Sequence, residues 1–342
     1  MKTVLFLTLR MKMGFGVDVV VGQLSRLLIQ RGHRVVVGCI ESEPGFEGVQ
    51  IEHVRATESD VAALASRVDA SVIVAHTSPF FELLPGLTDR WPCWAWEHGD
   101  PTPALFDGDR DARAKVKALK APIYPQLAGV IAISEFIRAD IGFGPAHVIY
   151  NGCDHVPDTA AKALQDLAAS SDRPLRVGTL LRIGAGEAFY KGNTLFQRFA
   201  AELQGVVSNV RVVAMGRGSE ADARAFRDHG IEVILNAPDA EKWAYLRELD
   251  VFLSFSLWEG FNLPLIEAQA LGTVGLAFDT GAHPEVTPMI LRNVDDALSL
   301  VKAYSQNREL LLRHSRLCQD FVRRQFSWER CVQAFEELAL GS

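Results

Sequence analysis

The stretch TVLFLTL (3–9), followed by VDVVVGQLSRLLIQRGH (17–33) and RVVVGCI (34–40), decides the fold. The first and third segments have strand length and are almost entirely apolar, as strands covered on both faces of a sheet are. In the middle segment apolar residues recur at helical spacing, and Gly32 is a suitable residue for ending a helix. Strand, helix and strand in this succession predict a parallel βαβ unit.

The same alternation continues along the chain in two blocks. The first block has further apolar runs at 71–76, 93–98, 129–134 and 147–152. The second block has apolar runs at 175–181, 209–216, 231–236, 251–256 and 273–279. This repetition predicts an α/β protein with two Rossmann-like domains, each built on a parallel sheet with helices on both faces.

The polar and small-residue segment DTAAKALQDLAASSDRP (158–174) separates the two blocks. We therefore predict four parts: a first domain over 1–155, a linker over 156–174, a second domain over 175–325 and a C-terminal helical tail over 326–342. The tail could pack back on the first domain. Two such domains would leave an interdomain cleft at the carboxyl ends of both sheets, where ligands of open α/β sheets bind.

The composition excludes several classes of protein. A chain of 342 residues with 48% hydrophobic residues suits two folded domains, and a net charge of −7 argues against a general nucleic-acid binder. Five dispersed cysteines without a CxxC pair indicate neither a metal site nor a disulfide framework. The N-terminal apolar run is short and interrupted by Arg10 and Lys12, which favours a buried strand over a signal peptide. We expect a soluble, cytoplasmic protein that binds no nucleic acid.

The stretch SLWEGFNLPLIEAQALG (256–272) carries two glutamates eight positions apart, Glu259 and Glu267. Asn262 can cap a helix and Pro264 suits its first turn, so Glu259 should lie in a loop and Glu267 in the helix. The start of such a helix attracts a diphosphate, and the carboxylates can accept hydrogen bonds from sugar hydroxyls. The alternative is ordinary helix-start chemistry, which accounts for Glu267 but not for the Trp-Glu-Gly-Phe-Asn loop.

This stretch resembles the E-x7-E motif of retaining glycosyltransferases with the GT-B fold, in the family numbered 4. The resemblance extends over nearly the whole chain. Further similar segments are MGFGVD with Gly14 and Gly16, RGHRVVV, VIAISEFIR, VIYNGCD, the pair Arg182 and Lys191-Gly192, and GAHPEV (281–286). Three features depart from the family pattern. GAHPEV stands where the family usually has Gly-Gly in its second glycine turn. Asn262 stands where the family's EGFG has its second glycine, and Arg182 and Lys191 are farther apart than is common.

The resemblance implies a retaining transfer of a hexose from a nucleotide diphosphate sugar to a hydroxyl acceptor. In the family the first glutamate contacts the sugar hydroxyls, the second contacts the ribose, and the Arg and Lys pair neutralises the departing diphosphate. The catalytic residues implied here are His98, which would face the reacting sugar, Glu259, Arg182 and Lys191. The donor-binding residues implied are Gly16, Arg182, Lys191, Glu259, Gly260, Phe261, Asn262, Leu263 and Glu267. No metal and no cofactor besides the nucleotide sugar are implied.

For several of these features a structural interpretation remains open. A lone histidine after a strand commonly bonds to backbone, and an Arg or Lys near a strand end is commonly solvated. The segment DGD (107–109) resembles a metal-binding Asp-x-Asp, although a surface turn is favoured there. The basic run RDARAKVKALK (110–120) could be a solvated helix face or could touch an anionic membrane or a lipid-linked acceptor. Peripheral contact with the inner membrane face is therefore an open alternative.

Other functions compete with the transferase hypothesis. A glycosidase needs two carboxyl groups flanking one glycosidic bond, which is incompatible with one of them binding ribose. The glycine loop MGFGVD would suit a nicotinamide dehydrogenase, but the third glycine of the fingerprint is replaced by Val19. A nucleotide-sugar epimerase and a non-catalytic nucleotide-sugar-binding module remain as alternatives. The sequence leaves open the donor sugar and base, the acceptor and the oligomeric state.

Overall fold

The N-terminal apolar run forms an interior strand of a seven-stranded parallel sheet in a computed structural model, which describes residues 1–12, 14–106, 110–157, 173–184 and 189–341. The strands of this sheet are β1 (Thr3–Met11), β2 (Arg34–Ser42), β3 (Gln50–His53), β4 (Val72–Ala75), β5 (Cys93–Glu97), β6 (Gly129–Ala132) and β7 (His147–Val148). Their order is β3-β2-β1-β4-β5-β6-β7, and each neighbouring pair is parallel. The side chains of residues 4–7 in β1 are fully buried because helices cover both faces of the sheet, whereas Leu9 near the end of the strand is exposed.

Helices connect these strands as the sequence pattern predicts. They are α1 (Gly16–Gln30), α2 (Glu58–Val68), α3 (Arg110–Lys120) and α4 (Glu135–Asp140), with 3₁₀ turns at Phe81–Leu87, Pro103–Leu105 and Tyr124–Gln126. Gly32 follows α1 with φ +88°, so the predicted helix stop is confirmed. Thr57 and Ser134 cap α2 and α4 by accepting hydrogen bonds from backbone N–H groups of the first turn.

The second sheet has six parallel strands. They are β8 (Leu175–Arg182), β9 (Val210–Arg217), β10 (Glu232–Leu235), β11 (Val251–Ser254), β12 (Val274–Phe278) and β13 (Ile290–Leu291), in the order β10-β9-β8-β11-β12-β13. The order reverses between β8 and β11, and ligands of doubly wound sheets bind at the carboxyl ends of strands beside such a reversal. The fold class predicted from the sequence, two Rossmann-like domains, is confirmed.

Helices of the second unit pack on this sheet through apolar faces. They are α5 (Asn193–Val206), α6 (Glu220–Arg227), α7 (Asp239–Glu248), α8 (Leu263–Ala270), α9 (His283–Val286), α10 (Val294–Gln306) and α11 (Arg308–Gln325). Phe196 and Phe199 of α5 meet Phe255, which follows β11, with ring centroids 6.4 and 5.6 Å apart. This aromatic core fixes the position of the chain that leaves β11, where the E-x7-E stretch begins.

The last part of the chain belongs to the first unit. The units comprise Met1–His155 with Phe326–Ser342, and Val156–Gln325. Helix α12 (Trp328–Phe335) and a π-helical turn (Glu336–Leu340) form the tail. The Trp328 amide donates to Asp154 Oδ1 at 2.7 Å, and Glu336 accepts from Arg31 at 2.7 Å. The predicted linker over 156–174 lies largely outside the described residues.

The structure differs from the sequence prediction mainly at the sheet edges. Strand β3 was not predicted because its four residues, QIEH, are mostly polar and partly exposed. Strand β13 has only two residues, which is too short for a periodic signal. One strand was predicted over 147–152, but only His147–Val148 join the sheet. Over the described part of the chain no helix is long and apolar enough to cross a membrane.

Replacing Gly152 by alanine is expected to destabilise the first unit, because the new Cβ would lie 2.1 Å from the backbone nitrogen of Trp328. Overpacking against backbone typically costs about 1–3 kcal/mol. Gly144→Ala is the matched control, since no described atom lies within 4 Å of a Cβ there. Thermal unfolding followed by tryptophan fluorescence measures both variants. Equal melting temperatures would contradict the requirement for glycine beneath the tail.

Candidate functional site

Helix α8 begins at Asn262, which has φ 69° and ψ 67° and whose Oδ1 accepts from the Leu265 amide at 3.3 Å. The predicted cap and the predicted proline in the first turn are both confirmed. Positive φ is accessible to glycine and, more than to other residues with a Cβ, to asparagine. Asn262 can therefore occupy a position where the motif it resembles has glycine.

A buried histidine fixes the same asparagine from the other side. His283 Nδ1 lies 2.9 Å from the Phe278 carbonyl oxygen, so this nitrogen is the donor. Its Nε2 then accepts from Asn262 Nδ2 at 3.0 Å. Burial lowers the pKa of His283, although the nearby Glu259 opposes this shift. The ring is therefore neutral at physiological pH and holds Asn262 through a defined tautomer.

The glycine turn of GAHPEV fixes the backbone of Glu259. Gly281 has φ +57°, and a Cβ there would lie 2.4 Å from the Glu259 carbonyl oxygen. The Ala282 amide donates to the same oxygen at 2.9 Å. Only glycine allows this close approach, so the turn sets the direction in which the Glu259 side chain leaves the loop.

Lys191 approaches Glu259 from a second loop. Gly192 has φ +74°, and a Cβ there would lie 2.2 Å from the Phe255 carbonyl oxygen. The Leu257 amide donates to the Tyr190 oxygen at 2.7 Å, which joins the two loops. As a result Lys191 Nζ lies 2.9 Å from Glu259 Oε1. The structure thus brings together two residues that are 68 positions apart in the sequence.

Glu267 has a different lysine partner. Its side chain in α8 is 1% exposed, and its Oε1 accepts from Lys242 Nζ at 3.0 Å. Lys242 lies on α7 and belongs to none of the motifs in the sequence. The sequence analysis missed this residue because only the packing of α7 beside α8 places it there. Each glutamate of the motif therefore has its own lysine, and they do not act as a carboxylate pair.

Arg182 is the last residue of β8, at the carboxyl end of the strand. The ladder places it beside Arg217, the last residue of β9. Neighbouring residues of a ladder point to the same face of the sheet, so both side chains leave it on one side. The backbone of Arg182 is fixed by Asn193 of α5, whose Nδ2 donates to its carbonyl oxygen at 3.3 Å.

The remaining donor-binding candidates of the loop are buried in the second unit. Phe261 is 3% exposed, Leu263 is 8% exposed, and Gly260 is also buried. Phe261 and Leu263 therefore act chiefly as packing residues, and a ligand would meet this loop mainly through backbone groups. No group of three His, Cys, Asp or Glu residues that could hold a metal ion occurs in the described ranges. The DGD segment (107–109) lies outside them.

In the first unit His98 follows β5 and lies near a second histidine. His98 Nε2 is 3.0 Å from His76 Nδ1. This nitrogen of His98 therefore contacts a second histidine side chain. Burial, with the charge of Lys120, lowers the pKa of His98 to about 3. Both rings are neutral at physiological pH, since burial also lowers the pKa of His76. The sequence analysis did not identify His76.

The end of helix α3 contributes a buried charge cluster next to His98. Lys120 Nζ lies 2.7 Å from Asp100 Oδ2 and 3.2 Å from Glu97 Oε2, and Tyr124 donates to Glu97 at 2.7 Å. Burial opposes the charged lysine, but the two carboxylates outweigh it and raise the pKa of Lys120. The expectation that the whole basic run is solvated or faces a membrane is therefore wrong for Lys120. Lys117 is also paired, with Asp140 at 2.7 Å.

The chain turns from β1 into α1 through Gly14 and Gly16 of the glycine loop. Gly14 has φ +87°, and Gly16 is the first residue of α1. The Lys12 amide donates to Asp18 Oδ2 at 2.9 Å, and Asp18 is buried in the first turn of α1. The turn is thus fixed by a carboxylate that the sequence analysis did not single out.

Comparisons with known proteins agree with this architecture. A family model described as "Glycosyl transferases group 1" matches residues 178–307, which include Arg182, Lys191, Glu259 and Glu267. No curated protein matches the sequence significantly.

Solved structures with the same fold cover the chain from end to end. Sucrose-phosphate synthase from Thermosynechococcus elongatus is 15% identical, with 100% of both chains covered and a TM-score of 0.78. Anabaena HepE, in complex with UDP and glucose, has the same identity, coverage and TM-score. The catalytic domain of starch synthase IV from Arabidopsis thaliana, bound to ADP and acarbose, is 13% identical, with 99% of both chains covered and a TM-score of 0.72. The chain therefore has the GT-B fold, and its second unit is similar to glycosyl transferases of group 1.

Proposed function

We propose that this protein is a retaining glycosyltransferase of the E-x7-E type, which moves a hexose from a nucleotide diphosphate sugar to a hydroxyl acceptor without a metal ion. The observation that carries the proposal is the ion pair of Lys191 with Glu259 beside the capped start of α8. It lies in the segment matched by the group 1 family model. A cation, a carboxylate and a helix start in one place suit an anionic ligand that also carries hydroxyl groups.

Binding of the donor would exchange the partners of Lys191. In the free protein the charge of Lys191 is compensated by Glu259. A diphosphate carries more charge than a carboxylate and would compete for the ammonium group, so Glu259 would be free to accept hydrogen bonds from the sugar. Lys191 and Arg182 would then stabilise the charge that develops on the departing diphosphate, which is a strong catalytic effect.

The transfer itself breaks the bond between C1 of the sugar and the diphosphate oxygen, whose electron pair stays with the diphosphate. The acceptor oxygen forms the new bond to C1 on the same face, and its proton passes to the departing diphosphate. The protein mainly positions the groups and stabilises charge in this scheme. His98 is proposed to face the reacting sugar, with its orientation fixed by His76.

The acceptor is proposed to be a saccharide, a lipid-linked saccharide or a small molecule with a hydroxyl group. Similar folds bind UDP with glucose in Anabaena HepE and ADP in starch synthase IV, so UDP- and ADP-sugars are the first donors to test. A cytoplasmic location follows as part of the same proposal. Contact with a membrane would have to use the exposed residues of α3, because Lys120 is buried and Lys117 is paired.

Incubation with a panel of UDP-, ADP- and GDP-hexoses is expected to release the free nucleoside diphosphate, and the release should persist in excess chelator. The reason is that Arg182 and Lys191 supply the positive charge that a metal would otherwise supply. Nucleotide release is measured by a coupled assay, and the anomeric configuration of the product by NMR.

Activity that disappears with chelator and returns with manganese would contradict metal independence. Interconversion of the sugar without nucleotide release would favour an epimerase, and binding without turnover a non-catalytic module.

Lys191→Met is expected to lower turnover by about two orders of magnitude, equivalent to ~3 kcal/mol of lost transition-state stabilisation. Its stability should also fall, because Glu259 is only 11% exposed and loses its cation, so turnover is measured well below the melting temperature of the variant. Lys302→Met, an exposed lysine on α10, is the control for the same chemical change. The measurements are steady-state kinetics and thermal unfolding. A near-normal turnover of Lys191→Met would show that the diphosphate is bound elsewhere.

Glu259→Gln and Glu267→Gln are expected to impair different properties, turnover in the first case and nucleoside diphosphate affinity in the second. Glu267→Gln should weaken nucleoside diphosphate binding by ~1.5–3 kcal/mol, because a charged hydrogen bond to the ribose is lost. Glu259→Gln should preserve or improve that affinity, since Lys191 is released from its carboxylate partner, while turnover falls because the sugar is no longer held in line. Calorimetric titration with UDP and ADP separates the two effects. An equal loss of affinity in both variants would refute this division of roles.

A further inference from the structure

Lys242 contacts the candidate site although it belongs to none of the motifs found in the sequence. Its ammonium group lies 3.0 Å from Oε1 of Glu267, which is 1% exposed, whereas the lysine side chain is 18% exposed. A buried carboxylate requires a cation or hydrogen-bond donors, because the loss of hydration would otherwise cost several kcal/mol. Lys242 supplies this compensation from a neighbouring helix and not from the E-x7-E stretch.

A second contact holds the ammonium group in place. Lys242 Nζ also lies 4.1 Å from the ring centroid of Trp243, a distance at which a cation is attracted to an aromatic face. Lys191 also has an aromatic neighbour, the Tyr190 ring at 5.1 Å, but its carboxylate partner Glu259 is 11% exposed, whereas Glu267 is 1% exposed. Lys242 is attracted by both the ring and the carboxylate, so it should remain on Glu267 throughout the reaction.

The geometry fixes which part of the carboxylate the lysine uses. An ionised carboxylate has about four acceptor positions, and Lys242 occupies one of them on Oε1. With this oxygen engaged, rotation of the carboxylate about its Cγ–Cδ bond would break the ion pair. Lys242 therefore contributes to the orientation that Glu267 presents to a ligand.

We propose that Lys242 is a positioning residue, which orients Glu267 toward the hydroxyl groups of the donor ribose and so makes the site selective for ribonucleotides over 2′-deoxyribonucleotides. The proposal rests on the proposed function, in which Glu267 binds the ribose. It adds a residue outside the motif and a selectivity that the motif alone does not imply. A purely structural lysine would stabilise Glu267 without affecting this selectivity.

The test compares nucleotide pairs that differ only at the 2′ position. Wild type is titrated calorimetrically with UDP, ADP and GDP, and the tightest of the three is then compared with its 2′-deoxy form. The same pair is titrated into Lys242→Met, Lys242→Arg, Glu267→Gln and the double variant Lys242→Met/Glu267→Gln. Lys302→Met is the control for loss of a positive charge on the same unit.

Wild type and Lys302→Met are expected to prefer the ribonucleotide by about tenfold, as the loss of a hydrogen bond to a charged group implies. Lys242→Met should lose most of this preference, Lys242→Arg should retain it, and the double variant should resemble Glu267→Gln alone because both residues act through one contact. If the lone charge of Glu267 lowers the stability of Lys242→Met, that variant is titrated below its melting temperature, and Lys242→Gln, which keeps a polar side chain beside Glu267, is expected to lose the preference in the same way.

The outcomes also separate this inference from the proposed function. If the wild type binds and transfers but Lys242→Met keeps the tenfold preference, Lys242 is structural and only the inference fails. A similar loss of affinity for both nucleotides in Lys242→Met would likewise overturn it, since the lysine would then act on the phosphates or on folding. Absence of nucleoside diphosphate binding by the wild type would overturn both.

Discussion

The hydrogen bond between His283 and Asn262 is the contact on which the candidate site depends. Asn262 has a left-handed conformation that few residues with a Cβ adopt, and the buried neutral ring of His283 accepts from its side-chain amide. The same asparagine caps α8, so the position of the helix start and the path of the preceding loop are determined together. Gly281 adds the close contact that orients the Glu259 backbone. A rigid loop of this kind can hold catalytic groups in place without the binding of a ligand.

Charge compensation explains the arrangement of side chains around this loop. Glu259 and Glu267 are largely buried, and each is paired with a lysine from a different element. The two pairs are expected to behave differently, because Glu259 is 11% exposed and Lys191 can exchange it for a diphosphate, whereas Glu267 is only 1% exposed and Lys242 lies closer to its aromatic neighbour Trp243, at 4.1 Å, than Lys191 does to Tyr190, at 5.1 Å. One pair would therefore respond to the ligand, and the other would keep a fixed geometry. This difference would give the two glutamates of one motif separate roles.

The first unit has its own buried polar network, which connects β5 with the end of α3. Glu97 accepts from Tyr124 and pairs with Lys120, and His98 contacts His76 in the same region. Burial makes such groups costly unless each has a partner, so the network constrains the position of His98. The C-terminal tail completes the same unit through Trp328 and Glu336.

The sequence by itself determined the fold class, the start of α8 and the identity of the glutamates, because these depend on local periodicity, capping and motif spacing. Residues 3–9 are recognisable as a strand from sequence, because a strand covered on both faces is almost continuously apolar. The short polar edge strand β3 has no such signal, and it was missed. Only the tertiary structure decided which cation meets which carboxylate. Contacts between separate elements cannot be predicted from local sequence patterns. Such contacts bring together Lys191 and Glu259, Lys242 and Glu267, His76 and His98, and Lys120 and Asp100.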